Sequence, residues 1–279
     1  MSHRISPAWL HGPRRALSRL YPGPGPAAAL KGLRTQVQEP TINFRTAVHI
    51  RRYSMHIEPG LVDGTKIFLS YATAAAALAY TGKVAIETAV KDGLAALVLR
   101  SAIAVALVFC FFEVLPHHPV GVSEVHLILG TTLLLVFGLA PAAIGLAGGL
   151  LIQGLFFEPQ DIPQYGMNVT TLLVPLFATA VLARRIIPKN VAYVDLSYQQ
   201  AFKLSVAYQG GIVVWVGFWA LYGRGTGLEN LSQIASFGAA YMTVVLVEPL
   251  VDLGVLAAAK GWRRLQGSVF VERRLYGGV

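Results

Sequence analysis

From residue 66 onward the chain alternates long apolar runs with short polar segments. The runs fall near 66–82, 93–113, 124–138, 141–157, 168–187, 202–222 and 235–259. Each approaches the roughly 20 residues that a helix needs to cross a hydrocarbon core of about 30 Å. Only the tight turn "GLAP" separates the third from the fourth. No strand periodicity competes with these runs. The pattern predicts an all-α integral membrane protein, with about seven transmembrane helices in one bundle over residues 55–262.

The segments between the runs give the bundle a direction. Lys83 and Lys91 follow the first run, Arg184, Arg185 and Lys189 the fifth, and Lys260, Arg263, Arg264, Arg273 and Arg274 the seventh. Basic residues mark the cytoplasmic side. The opposite face has Arg224 as its only basic loop residue. Seven spans then place the bundle's N-terminus outside and its C-terminus inside, ending in a basic cytoplasmic tail, 263–279. The location implied is a bacterial plasma (inner) membrane, with lipid as the surroundings.

Composition agrees. Hydrophobic residues make up 54% and charged residues 13%, with a mean hydropathy of +0.56, against about 25% charged in ordinary soluble domains. The net charge of +9 suggests a nucleic-acid or anionic-lipid partner until it is mapped. Residues 1–54 hold nine basic residues and one acid, Glu39, whereas 55–279 are nearly balanced, at fourteen against thirteen. The excess belongs to the extension, and no nucleic-acid partner is expected. The single cysteine, Cys110, lies in an apolar run and rules out an intrachain disulfide or a Cys-based metal site.

Residues 1–54, with "YPGPGPAAALKG" and scattered arginines, show no sustained helical period and no signal-peptide core. They read as a disordered or non-native extension. An Arg-rich, acid-poor transit peptide fits the same composition. A start at Met55 fits as well, because Arg51-Arg52 encoded as AGGAGG would put a ribosome-binding sequence just upstream.

The topology gathers every histidine of the membrane part at the outer face. His56 lies beside Met55, and His117, His118 and His126 lie in "PHHPVGVSEVH", with Glu58, Glu124, Glu158 and Asp161 on the same side. Imidazoles beside carboxylates suit capture of a divalent transition metal. Ordinary loop polarity accounts for them equally well on composition alone.

Four motifs carry a resemblance. "MHIEPG" is similar to the start of the cobalt/nickel-binding membrane components of energy-coupling factor ABC transporters, the CbiM/NikM family. "PVGVSEVHLILG" resembles that family's approach to its third helix. "FGLAPAAIGLAGGLLIQGLFF" resembles its Gly-Pro turn and Gln-containing fourth helix, and "YGMN" the turn that opens the next helix. The similarity covers about 55–260 and is strongest over 55–60 and 116–175.

The resemblance implies a substrate-capture (permease) subunit that imports Co2+ or Ni2+, linked to cobalamin biosynthesis. Its implied ligands are the amine of Met55, the amide and imidazole of His56, and the imidazole of His126. An amine, a deprotonated amide and an imidazole from one dipeptide close two small chelate rings. A fourth nitrogen completes the plane that Ni(II) and Cu(II) favour. This chemistry needs a free amine at Met55. His117, His118, Ser123, Glu124 and Asn168 are further candidates around the site, with Glu124 placed to neutralise the metal or orient an imidazole. Asn168 and Gln153 are expected to tie loop backbone to helix ends. The partners implied are a transmembrane coupling subunit, cytosolic ATPase subunits and a small accessory membrane subunit. The chain has no G-x-x-x-x-G-K-[ST] loop of its own.

Three further features need an account. Ala72/Ala76 and Ala75/Ala79 on helix one, and Gly145/Gly149 on helix four, repeat the small-residue spacing that lets helices approach closely in lipid. Glu248 and Asp252 flank Pro249 in an apolar run, where acids are costly. Arg100 is the partner expected for them. Two other functional classes remain in view. A histidine-dependent membrane metalloenzyme is disfavoured by the presence of only four histidines in the membrane part and by the lack of H-E-x-x-H, and a capture subunit for a non-metal substrate is disfavoured by the histidine cluster.

Overall fold

The structure, a computed structural model, describes residues 56–278. The expected extension 1–54 and the Met55 amine lie outside the described residues. Seven α-helices occur among those described: α1 (Ile67–Asp92), α2 (Leu94–Glu113), α3 (Gly130–Phe137), α4 (Leu139–Phe156), α5 (Tyr165–Ile186), α6 (Tyr198–Arg224) and α7 (Leu228–Gly261). Strands β1 (His118–Val120) and β2 (Ser123–Val125) form an antiparallel hairpin between α2 and α3.

Five helical stretches are long and apolar enough to cross a membrane: Leu94–Glu113, Leu139–Phe156, Pro159–Ile186, Tyr198–Arg224 and Leu228–Gly261. The polarity of the bundle is that of a membrane protein. Phe68, Ile86, Val90, Leu94, Val214, Leu246 and Leu250 are exposed, while Thr131, Gln153, Asn168, Ser205, Gln209, Glu248 and Asp252 are buried. Apolar groups cover the perimeter because lipid solvates them, and polar groups turn inward to find partners.

The third expected helix, 124–138, is helical only over the eight residues of α3. That is a rise of about 12 Å. The stretch before it leaves β2 and runs through Leu129, a bulky residue held at φ +57°. Such backbone survives at depth only when surrounding protein fixes it. Gly138, at φ +92°, then breaks the chain between α3 and α4.

Helix α4 packs along α2 through its glycines. A Cβ on Gly145 would sit 2.6 Å from the Ala104 Cβ, and one on Gly149 would sit 2.6 Å from the Val108 Cγ1. The small-residue spacing on helix four therefore serves internal packing. The alanine ladder of α1 is different: Ala72, Ala75, Ala76 and Ala79 are exposed.

Arg100 does not meet Glu248 or Asp252. Its buried guanidinium pairs through Nη1 with Asp92 (3.0 Å) and Glu272 (3.5 Å), and its Nε donates to the Val269 carbonyl at 2.9 Å. Residues after α7 return to this corner. The Glu272 N–H donates to the Val136 carbonyl at 2.8 Å, Arg273 pairs with Asp92 at 3.0 Å, and Val271 and Leu275 are buried. The returning chain supplies the acid that sequence position suggested would come from α7.

Candidate metal centre

The first described residues are pinned against the bundle. Ile57, Leu61 and Val62 are buried, and the Leu61 carbonyl passes so close to Gly223 that a Cβ there would lie 1.9 Å away. The Ile57 N–H donates to Asn168 Oδ1 at 3.3 Å, and the Glu58 N–H donates to the Val122 carbonyl at 3.2 Å. Gly60, at φ +80°, makes the turn of "EPG", and Glu58 pairs with Arg224 at 2.8 Å. These contacts fold the start of the segment inward. They fix His56 at the top of the bundle.

The β1–β2 hairpin supplies the opposite wall. It turns at Gly121 (φ +62°), where a Cβ would meet the Gln233 carbonyl at 2.2 Å. Ser123, Glu124 and His126 are buried by it, whereas His118 is exposed and His117 is half-buried. His126 and His56 come to a ring-centroid separation of 5.9 Å. Phe112 meets both rings edge-on, at 5.2 Å and 5.0 Å.

Each imidazole has one nitrogen occupied. His56 Nε2 lies 2.7 Å from Gln153 Oε1, so the amide oxygen accepts the Nε2 proton and Nδ1 keeps its lone pair. His126 Nδ1 faces the Leu127 carbonyl at 3.4 Å, which leaves Nε2 as its free donor. Fixing the tautomer through the outer nitrogen is how metal-ligating histidines are oriented. With metal–nitrogen bonds of about 2 Å, rings at this separation can reach one ion. Gln153 thus grips the imidazole itself, a role missed in the sequence, where a lone Gln in "LLIQGLFF" was the available signal.

A cavity of about 30 Å3, large enough to admit water, is lined by His56, Ser123, Glu124, His126, Asn168 and Tyr241 among others. A second, of about 10 Å3, adjoins His56 on the side of Gln153, Glu158 and Asp161. Burial, then the neighbouring His126 charge, lowers the His56 pKa to about 3. Burial also lowers His126 to about 4, with the Leu127 carbonyl opposing. Both rings are therefore neutral at physiological pH. The Glu124 carboxyl goes the other way, up to about 8, through burial and then the charges of Asp161 and Glu158. Both of its oxygens are buried without a hydrogen-bond partner, which is costly unless a cation or proton compensates.

Among the described residues no three His, Cys, Asp or Glu side chains form a group able to hold a metal ion. What is assembled is a pair of imidazoles beside a carboxylate. His117 contributes only its field, which reaches His56 and His126. Asn168 accepts from the Ile57 backbone N–H.

The bundle and this site define a multi-pass membrane protein whose polar interior presents neutral nitrogen donors. Residues 56–264 match the family model CbiM, the cobalt uptake substrate-specific transmembrane region. The chain belongs to that family and is a transport component for cobalt uptake, not an enzyme. No curated protein and no solved structure matched it.

Proposed function

We propose that the chain is the substrate-capture subunit of an energy-coupling factor transporter, binding Co2+ or Ni2+ at the external face through the Met55 amine, the His56 amide and imidazole, and the His126 imidazole. The observation that carries this reading is the approach of His56 and His126 to 5.9 Å with Nδ1 of one and Nε2 of the other left as donors. Two imidazoles fall short of a coordination sphere. The backbone nitrogens of Met55-His56 would supply the rest by chelation, with Nδ1 of His56 the ring atom nearest its own amide.

Glu124 answers the charge. A dipositive ion beside its carboxylate would compensate the buried acid, and Glu158 and Asp161 extend the negative field toward the second cavity. In this reading translation or processing leaves Met55 as the first residue of the mature chain.

Seven crossings are proposed, the third made of two unlike halves. Non-helical backbone from Leu127 to Leu129 covers at most roughly 10 Å at about 3.3 Å per residue, and α3 adds about 12 Å. Together they join the histidine face to the corner where Val136 meets Glu272. The histidine face is then external and the Arg100 corner cytoplasmic. The exposed alanine ladder of α1 is the surface proposed for a transmembrane coupling partner, whose cytosolic ATPases would power reorientation of the subunit.

Isothermal titration of purified protein beginning at Met55 tests the reading. Wild type should take up one Co2+ or Ni2+ per chain, and His56→Ala or His126→Ala should remove that binding. Equal binding by both variants would refute the site.

A further inference from the structure

His126 stands at the head of an unusual piece of backbone. Between the end of β2 at Val125 and the start of α3 at Gly130, the chain has no partner strand and no helix of its own. Its N–H groups lie in the interior of an apolar bundle, where unmet donors are costly. The first amides of α3 are unmet for the further reason that every helix begins with four orphan N–H groups. No side chain caps this helix locally.

Two acids from another helix occupy the gap. Glu248 and Asp252 lie one turn apart on α7, exposed by 0% and 1%. The Thr132 hydroxyl donates to Asp252, whose carboxylate also meets the Thr132 backbone N–H. The backbone N–H groups of Leu129 and Ile128 face Glu248. Gln209 of α6 donates to Glu248 and fixes it from behind. Negative charge at the start of a helix is also favoured by the helix dipole.

The packing leaves this segment little freedom. Leu129 holds φ +57°, a conformation that a bulky residue adopts only under constraint. Tyr208 covers Gly130 so closely that a Cβ would lie 2.2 Å from its Cζ. Ile128 and Leu129 are buried, and Ile128 also lines the histidine cavity.

We propose that Glu248 and Asp252 are positioning residues for the metal site: they cap α3 from α7 and so fix the strap that aims His126 at His56. This explains two acids deep in the bundle without a cationic partner there, since backbone donors replace the cation. The proposal rests on the metal-binding reading above.

The test uses the full chain in detergent, with Co2+ as the probe. Glu248→Ala and Thr132→Val should each weaken Co2+ binding by about 10- to 100-fold, the usual cost of losing a residue that orients a ligand. Both should shift the visible d–d absorption of bound Co2+ and raise deuterium uptake over residues 126–132 in the metal-free protein. Glu248→Gln keeps an acceptor oxygen for the backbone and should restore most of both properties. Unchanged uptake at 126–132 in Glu248→Ala would overturn the proposal, as would a Glu248→Gln variant as impaired as the alanine. If Glu248→Ala does not fold, Thr132→Val and Glu248→Gln decide by the same readings. If wild type binds no Co2+, the functional reading fails, while deuterium uptake still decides whether the acids hold the strap.

Discussion

His56 and Gln153, 97 residues apart, meet at 2.7 Å between Nε2 and Oε1. The contact joins the segment before α1 to the C-terminal end of α4 and selects the tautomer with a free Nδ1. A ligand is thereby shaped before any ion arrives, which lowers the ordering cost of capture. Gln153→Leu should therefore weaken Co2+ or Ni2+ binding by about 10- to 100-fold while leaving the helical content unchanged. Titration calorimetry with circular dichroism checks both halves of that expectation.

The two imidazoles and Glu124 predict a pH optimum for the metal-free protein. His56 and His126 titrate at about 3 and 4 when folded and near 6.5 when unfolded. The unfolded chain thus binds more protons below pH 6.5, and stability falls as the pH drops toward 4. Glu124, raised to about 8, has the opposite sign: its contribution is complete below its unfolded pKa and is lost as the pH rises to 8. Thermal unfolding in detergent should show maximal stability near pH 6 to 7. Glu124→Gln should flatten the alkaline side, and His126→Ala the acid side.

Arg100 anchors the opposite end of the bundle. It is 2% exposed and joins Asp92 of α1 to Glu272 of the returning chain. Arg100→Ala takes the cation from Glu272 and leaves Asp92 with Arg273 alone, and should cost up to about 3–5 kcal/mol, read as a lowered midpoint of unfolding. Binding at the histidine face should persist in whatever fraction remains folded.

Close packing of α4 on α2 gives a further expectation. Gly149→Val places a branched side chain where even a Cβ would be 2.6 Å from Val108. Overpacking of this kind costs about 1–3 kcal/mol. Ala76→Val on the exposed face of α1 should leave the stability of the isolated subunit unchanged. A fall in coupling to partner subunits without a fall in metal binding would mark that face as the docking surface.

Much of this architecture is legible in the apolar runs, because a helix in lipid must satisfy its backbone alone and so announces itself by length and composition. Residues 124–138 were read as a helix for the same reason, since "VHLILGTTLLLVF" is as apolar as its neighbours. The non-helical half faces Glu248 and Asp252, more than a hundred residues later, and no local pattern records that. Arg100 was matched to the wrong acids because depth along a helix says nothing of a chain end that folds back on it. Gln153 was read as a tie between loop backbone and helix ends, and the structure brings it to His56 instead.

The most direct test of the account compares Co2+ or Ni2+ affinity between a chain beginning at Met55 and one retaining Ser54. Retention turns the Met55 amine into a peptide nitrogen and removes one proposed ligand. The longer chain should bind more than about 100-fold more weakly, a loss exceeding that of an orienting partner. Equal affinity for the two chains would contradict it and leave the ion to His56, His126 and Glu124 without the N-terminal amine.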